Sequence, residues 1–141
     1  MPQITIEFSR NMESRTPIPA LLKAVHEAAL ASGLFERGFG IRSRAVPRDC
    51  YLVADQDPEN AFIAVIVRIA AGRTEQERNA LADVIFAAVC RELEILISSV
   101  PLALSLEVQE IAELGARNLN NLHVRLAAKH GHHSTGVPSQ S

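Results

Sequence analysis

Polar and apolar residues alternate from the first residues of the chain: in Gln3-Ile4-Thr5-Ile6-Glu7-Phe8 every second side chain is apolar, which predicts a half-buried strand. The period then changes. Ile18, Leu21, Leu22, Val25, Ala28 and Ala29 recur at helical spacing, and predict a helix with Thr16 as N-cap, Pro17 at its first position and Gly33 as its stop. Residues 39–45 read as a strand, Tyr51-Leu52-Val53-Ala54 as a short one, and Asp57-Pro58-Glu59-Asn60 as a turn. Ala61 to Ala71 is the strongest strand signal. A second helix carries Leu81, Val84, Ile85, Ala88, Val89, Leu93 and Leu96 on one face, and Thr74 with Glu77 three residues on forms a capping-box pattern at its start. Pro101 marks the exit, and Leu102 to Gln109 is a further strand.

The order is strand, helix, strand, then strand, helix, strand. Two β-α-β halves of this kind predict an α+β fold, a mixed sheet of four or more strands with two helices on one face. Such a sheet leaves its other face uncovered, and Ile63, Val65 and Val67 are apolar positions suited to burial there, so self-association is expected. The reading places one domain over residues 1–128. Lys129 onward, with His130, His132 and His133, lacks apolar periodicity and is expected to be a disordered tail over 129–141.

At 141 residues the chain is long enough for one real core. Aromatic residues are 4% and Trp is absent, so that core is built from Ala, Leu, Ile and Val. The formal charge of −2, with the two signs interspersed, gives no nucleic-acid footprint. Cys50 and Cys90 have neither disulfide-framework nor zinc spacing and read as free thiols. No signal peptide and no membrane span are expected, which places the protein in the cytoplasm.

Candidate chemistry gathers at strand ends. If Met1 is removed, Pro2 presents a terminal amine, whose ordinary pKa of about 7.7–8.0 lies within reach of a general base. Burial and nearby positive charge both favour the neutral form of such an amine. Arg42 and Arg44 lie two apart on a strand and so share a face, a pair suited to carboxylates. Arg73 falls between a strand end and a helix N-terminus, where free backbone N–H groups also favour an anion. Arg68 shares its strand face with Phe62, Ala64 and Ile66.

Taken in order, Pro2, Gly33-Leu34-Phe35, Gly40-Ile41-Arg42-Ser43-Arg44, Ala71-Gly72-Arg73, Leu104-Ser105-Leu106-Glu107 and Asn120-Asn121-Leu122-His123 resemble the 5-carboxymethyl-2-hydroxymuconate isomerase family of the tautomerase superfamily over residues 2–125. The resemblance implies a proton shuttled between carbons of an unsaturated 2-hydroxy di- or tricarboxylate, in a homotrimer, with no metal or organic cofactor. It implies Pro2 as general acid/base, Arg42 and Arg73 as the carboxylate-binding and enolate-stabilising residues, and Arg44 as a further substrate-binding arginine. Two other readings stay open: a phenylpyruvate-type keto-enol tautomerase, and a noncatalytic trimeric binder of small anions.

Overall fold

The computed structural model describes residues 2–35 and 40–134, the last turn from 130 by its backbone alone. Strand β1 (Gln3–Ser9) is followed by a 3₁₀ turn (Arg10–Met12), helix α1 (Ile18–Ala31), β2 (Arg42–Arg48), β3 (Ala61–Ala70), α2 (Glu75–Glu92), the short α3 (Glu94–Ser99), β4 (Leu102–Ile111) and α4 (Leu122–Ser134). The strands form one sheet in the order β2-β1-β3-β4. β1 runs parallel to β2 and antiparallel to β3, and β3 runs parallel to β4. Each parallel pair is joined through helix, as parallel pairing requires, and the two β-α-β halves meet where β1 lies beside β3.

Alternation decides which face is covered. Ile4, Ile6 and Phe8 of β1 and Ala61, Ile63, Val65, Val67 and Ile69 of β3 are buried against Leu21, Val25 and Ala29 of α1 and Leu81, Ile85 and Val89 of α2. Burying each large aliphatic or aromatic side chain stabilises the fold by about 1.5–3 kcal/mol. Ile63, Val65 and Val67 therefore serve the helix-covered side, a correction to their expected place on the uncovered face. That open face carries instead Gln3, Thr5 and Glu7, Arg42, Arg44 and Arg48, Phe62, Ala64, Ile66 and Arg68, and Glu107 and Gln109. It is polar with an apolar strip, because both β1 and β3 spend their better apolar positions on the core. Val84, expected on the buried stripe of α2, is 41% exposed at its margin.

Four element boundaries differ from expectation. Helix α1 starts one residue later, with Pro17 as N-cap in extended conformation: its carbonyl accepts the N–H groups of Ala20 and Leu21 at 3.1 and 3.3 Å, and Thr16 makes no side-chain cap. Strand β2 occupies Arg42–Arg48 rather than 39–45, because its register is set residue for residue by β1, from Gln3 opposite Arg42 to Ser9 opposite Arg48; Pro47 is tolerated because β2 is an edge. Residue 39 lies outside the described residues.

Tyr51 to Ala54 is loop, not strand. The Asn60 amide donates to the Val53 carbonyl at 3.0 Å and to Asp55 Oδ1 at 2.7 Å, holding the loop in place of a ladder, while Ala54 takes a positive φ of 51°. The last difference is the terminus: α4 runs through 129 to Ser134, where a disordered tail was expected. Asn120 Oδ1 accepts the Leu122 N–H at 2.8 Å at its start, and Ala127 and Ala128 are strong helix formers. Residues 135–141 lie outside the described residues. No described helix is long and apolar enough to cross a membrane.

Candidate active site

The starts of β1 and β2 and the end of β3 converge at one end of the sheet. Pro2, immediately before β1, is buried, and its carbonyl accepts the backbone N–H of Arg42 at 3.2 Å. The first pair of the β1–β2 ladder is Gln3 with Arg42, and Gln3 also stands opposite Arg68 of β3. Pro2 and Arg42 are thus neighbours by backbone pairing alone.

Arg42 is exposed and lines a cavity of about 120 Å³ with Gly40 and the segment Leu119–Leu122. That brings the late Asn120-Asn121 pair beside the strand start that carries Arg42. Gly40 turns the chain into β2 with φ +82°, a conformation that favours glycine. Arg44 lies one pleat further along the open face, and its Nη2 donates to Gln3 Oε1 at 2.8 Å.

Arg73 arrives at the same end by another route. After β3, Gly72 turns the chain at φ +108°, and Arg73 follows, half-buried, just before the N-cap of α2. Its Nη1 donates to the Leu34 carbonyl, and its guanidinium carbon lies 5.4 Å from the centroid of the buried Phe35 ring, within cation–π range. The guanidinium is therefore held against the loop that leaves α1. Phe35 and Leu34 are the site partners that sequence reasoning gave no role, although the Gly33-Leu34-Phe35 string pointed to the right segment.

The helix behind Arg73 is fixed by a complete capping box: Thr74 Oγ1 accepts the Glu77 N–H at 3.1 Å and Glu77 Oε2 accepts the Thr74 N–H at 3.0 Å. Thr74→Ala removes one half of it and is expected to lower stability by about 1 kcal/mol, read as a fall in melting temperature. An unchanged melting temperature would show that the box contributes nothing there.

His26, a plain helix residue by sequence, pairs Nδ1 with Ser43 Oγ at 2.7 Å and ties α1 to β2 between Arg42 and Arg44. A larger concavity, about 520 Å³, lies elsewhere, between α2 and β4 at Glu75, Arg78 and Glu107. Its arginine is bound to Glu110 at 2.7 Å, and it holds neither Pro2 nor Arg42 nor Arg73. Among the described residues no three His, Cys, Asp or Glu side chains are grouped to hold a metal.

A mixed four-stranded sheet with crossover helices on one face is the architecture of the tautomerase-superfamily proteins this chain resembles in structure. A fused 4-OT, a wild-type symmetric trimer, shares the fold with a TM-score of 0.59 at 21% identity, over 86% of this chain and 98% of that one. Nearer relatives carry more than the fold. The model of the family described as CHMI, 5-carboxymethyl-2-hydroxymuconate isomerase, matches residues 2–126. The 5-carboxymethyl-2-hydroxymuconate Delta-isomerase of Escherichia coli is 30% identical over 123 residues, 87% of this chain and 97% of that protein. The crystal structure of a 5-carboxymethyl-2-hydroxymuconate isomerase from Deinococcus radiodurans R1 superposes with a TM-score of 0.82 at 32% identity, covering 89% of this chain and 93% of that one. The chain belongs to the 5-carboxymethyl-2-hydroxymuconate isomerase family and is an isomerase of tautomerase type.

Proposed function

We propose that the protein moves a proton between carbons of an unsaturated 2-hydroxy di- or tricarboxylate, 5-carboxymethyl-2-hydroxymuconate or a close relative, in the breakdown of homoprotocatechuate-type aromatic compounds. Pro2, freed by loss of Met1, is the general acid/base. In its neutral form the amine takes the hydroxyl proton of the dienol, or a carbon-bound proton of the keto form, and returns it at another carbon. Arg42 and Arg73 hold the carboxylates and the oxygen on which negative charge develops, and Arg44 adds a further carboxylate contact. No metal or organic cofactor enters the scheme.

One observation carries the reading: Pro2 is buried at the head of the central strand with its carbonyl bonded to the N–H of Arg42. Burial favours the neutral amine, and a guanidinium brought near it by the substrate site would act in the same direction. The same reading makes the protein a homotrimer, supported by β2 and β4 as unpaired edges. Free Cys50 and Cys90 suit a cytoplasmic setting.

The test combines the intact mass of the protein expressed from its own start with an assay on a 2-hydroxymuconate-type dienol. Loss of the mass of one methionine together with rapid ketonisation is the expected result. Retained Met1 leaves Pro2 an amide without basicity, and fast turnover by that species would overturn the mechanism.

A further inference from the structure

We propose that Arg68, with Gln3 and Arg42, forms a carboxylate-binding row across the open face of the sheet, and that Arg68 takes the substrate carboxylate remote from Pro2, so selecting diacids over monoacids. The inference rests on the site reading above and extends it to a residue to which the family resemblance gave no role.

The row follows from the pairing. Gln3 of β1 stands opposite Arg42 of β2 on one side and Arg68 of β3 on the other, so the three side chains share one line on one face. Neighbouring strands lie about 4.8 Å apart, which puts the two arginine backbones roughly 10 Å from each other. Over that distance two long guanidinium side chains reach different carboxylates of one small molecule. Because Gln3 directly follows Pro2, the row begins one residue from the proposed base.

The two arginines of this row, unlike most others on the sheet, have no partner within the fold among the described residues. Arg10, Arg15, Arg48 and Arg78 each make an ion pair with a carboxylate, and Arg73 gives Nη1 to Leu34 and lies on Phe35. Arg42 and Arg68 are exposed, and neither guanidinium has an ion pair or a hydrogen bond among the described residues. Glu7, on the same face two rows along, is taken by Arg48 at 3.1 Å. Glu107 on β4 accepts from Gln109 at 2.9 Å rather than from Arg68. Gln3 gives its Oε1 to Arg44, which leaves its amide N–H donors for an anion. Two uncompensated guanidinium groups with an amide donor between them form a site for an anionic ligand with two carboxylates.

Steady-state kinetics of Arg68→Ala with a 2-hydroxymuconate diacid and with the monoacid enol of phenylpyruvate test this. KM for the diacid should rise about 10-fold or more, the loss of one charge-assisted contact, with kcat and the monoacid KM within about twofold of wild type. Arg48→Ala, on the same face but paired with Glu7, should alter neither substrate. An unchanged diacid KM, or an equal rise for both acids, overturns the proposal. Competition between adipate and hexanoate, followed by NMR line broadening on unreacting protein, separates this from failure of the proline mechanism. Arg68→Ala should abolish the preference for adipate whether or not Pro2 is the base, and a wild-type protein without that preference overturns the row.

Discussion

Replacing Pro2 by alanine should lower kcat/KM for a 2-hydroxymuconate-type dienol by about 10²- to 10⁴-fold, the range for removal of a positioned general base. The variant keeps a terminal amine after Met1 is removed, so the loss measures positioning and the character of the ring nitrogen rather than absence of an amine. Pro2 is buried where β1 enters the sheet, and its ring fixes the nitrogen in one position there. An alanine there gains a freely rotating amine at a place built for a rigid one. The pH profile adds a second readout. Activity requires the unprotonated amine, so kcat/KM should fall on acidification through the pKa of the group, and the limb should vanish when Met1 is retained. Unchanged kcat/KM in Pro2→Ala would remove the proline from the chemistry.

Arg73→Ala should have the next largest effect, and it should differ in kind from Arg42→Ala. Arg73 bonds the Leu34 carbonyl and lies against the Phe35 ring, so its loss strips the loop after α1 of a charged hydrogen bond and a cation–π contact. Together these are worth about 2–4 kcal/mol of local stability, reduced by the solvent that reaches a half-buried side chain. A fall in melting temperature together with a rise in KM for the diacid, of about 10-fold or more, is the expected result. Arg42 has no such structural duty. Its alanine variant should raise KM for the diacid by a similar factor with the melting temperature unchanged. Equal melting temperatures for the two variants would show that the Leu34 and Phe35 contacts hold nothing together, and an unchanged KM would take the residue concerned out of the site.

What could be read from the sequence depended on how strongly each segment spoke locally. β1 and β3 alternate cleanly and were legible within a residue or so; α2 announces its start with Thr74 and Glu77, but the expected single helix through Leu96 breaks at Leu93, where α3 takes over. β2 was not, because Arg42-Ser43-Arg44-Ala45-Val46-Pro47-Arg48 has no apolar alternation of its own; its ends are set by β1, a partner about forty positions away. Tyr51 to Ala54 has strand-like residues, but the Asn60 amide captures the Val53 carbonyl, a side-chain contact that no propensity contains. The start of α4 was hidden by Asn120 and Asn121, which read as loop until one of them accepts the Leu122 N–H. At the candidate site, Pro2, Arg42 and Arg73 were proposed from the sequence because they fall at strand ends. The seat of Arg73 on Phe35 and the alignment of Arg42, Gln3 and Arg68 come from tertiary approach and from register, and a linear pattern carries neither.

Terminal segments usually fray, but β1 is one of the two strands with a neighbour on both sides, its amides shared between β2 and β3. Its exchange with solvent deuterium should require opening of the whole sheet, so the amides of Ile4 to Phe8 belong with the slowest in the molecule, at the free energy of global unfolding. On the ribosome the order is reversed in time. β1 must wait for residues 61–70 before its second ladder closes, and until then the end that carries Pro2 is held by β2 alone.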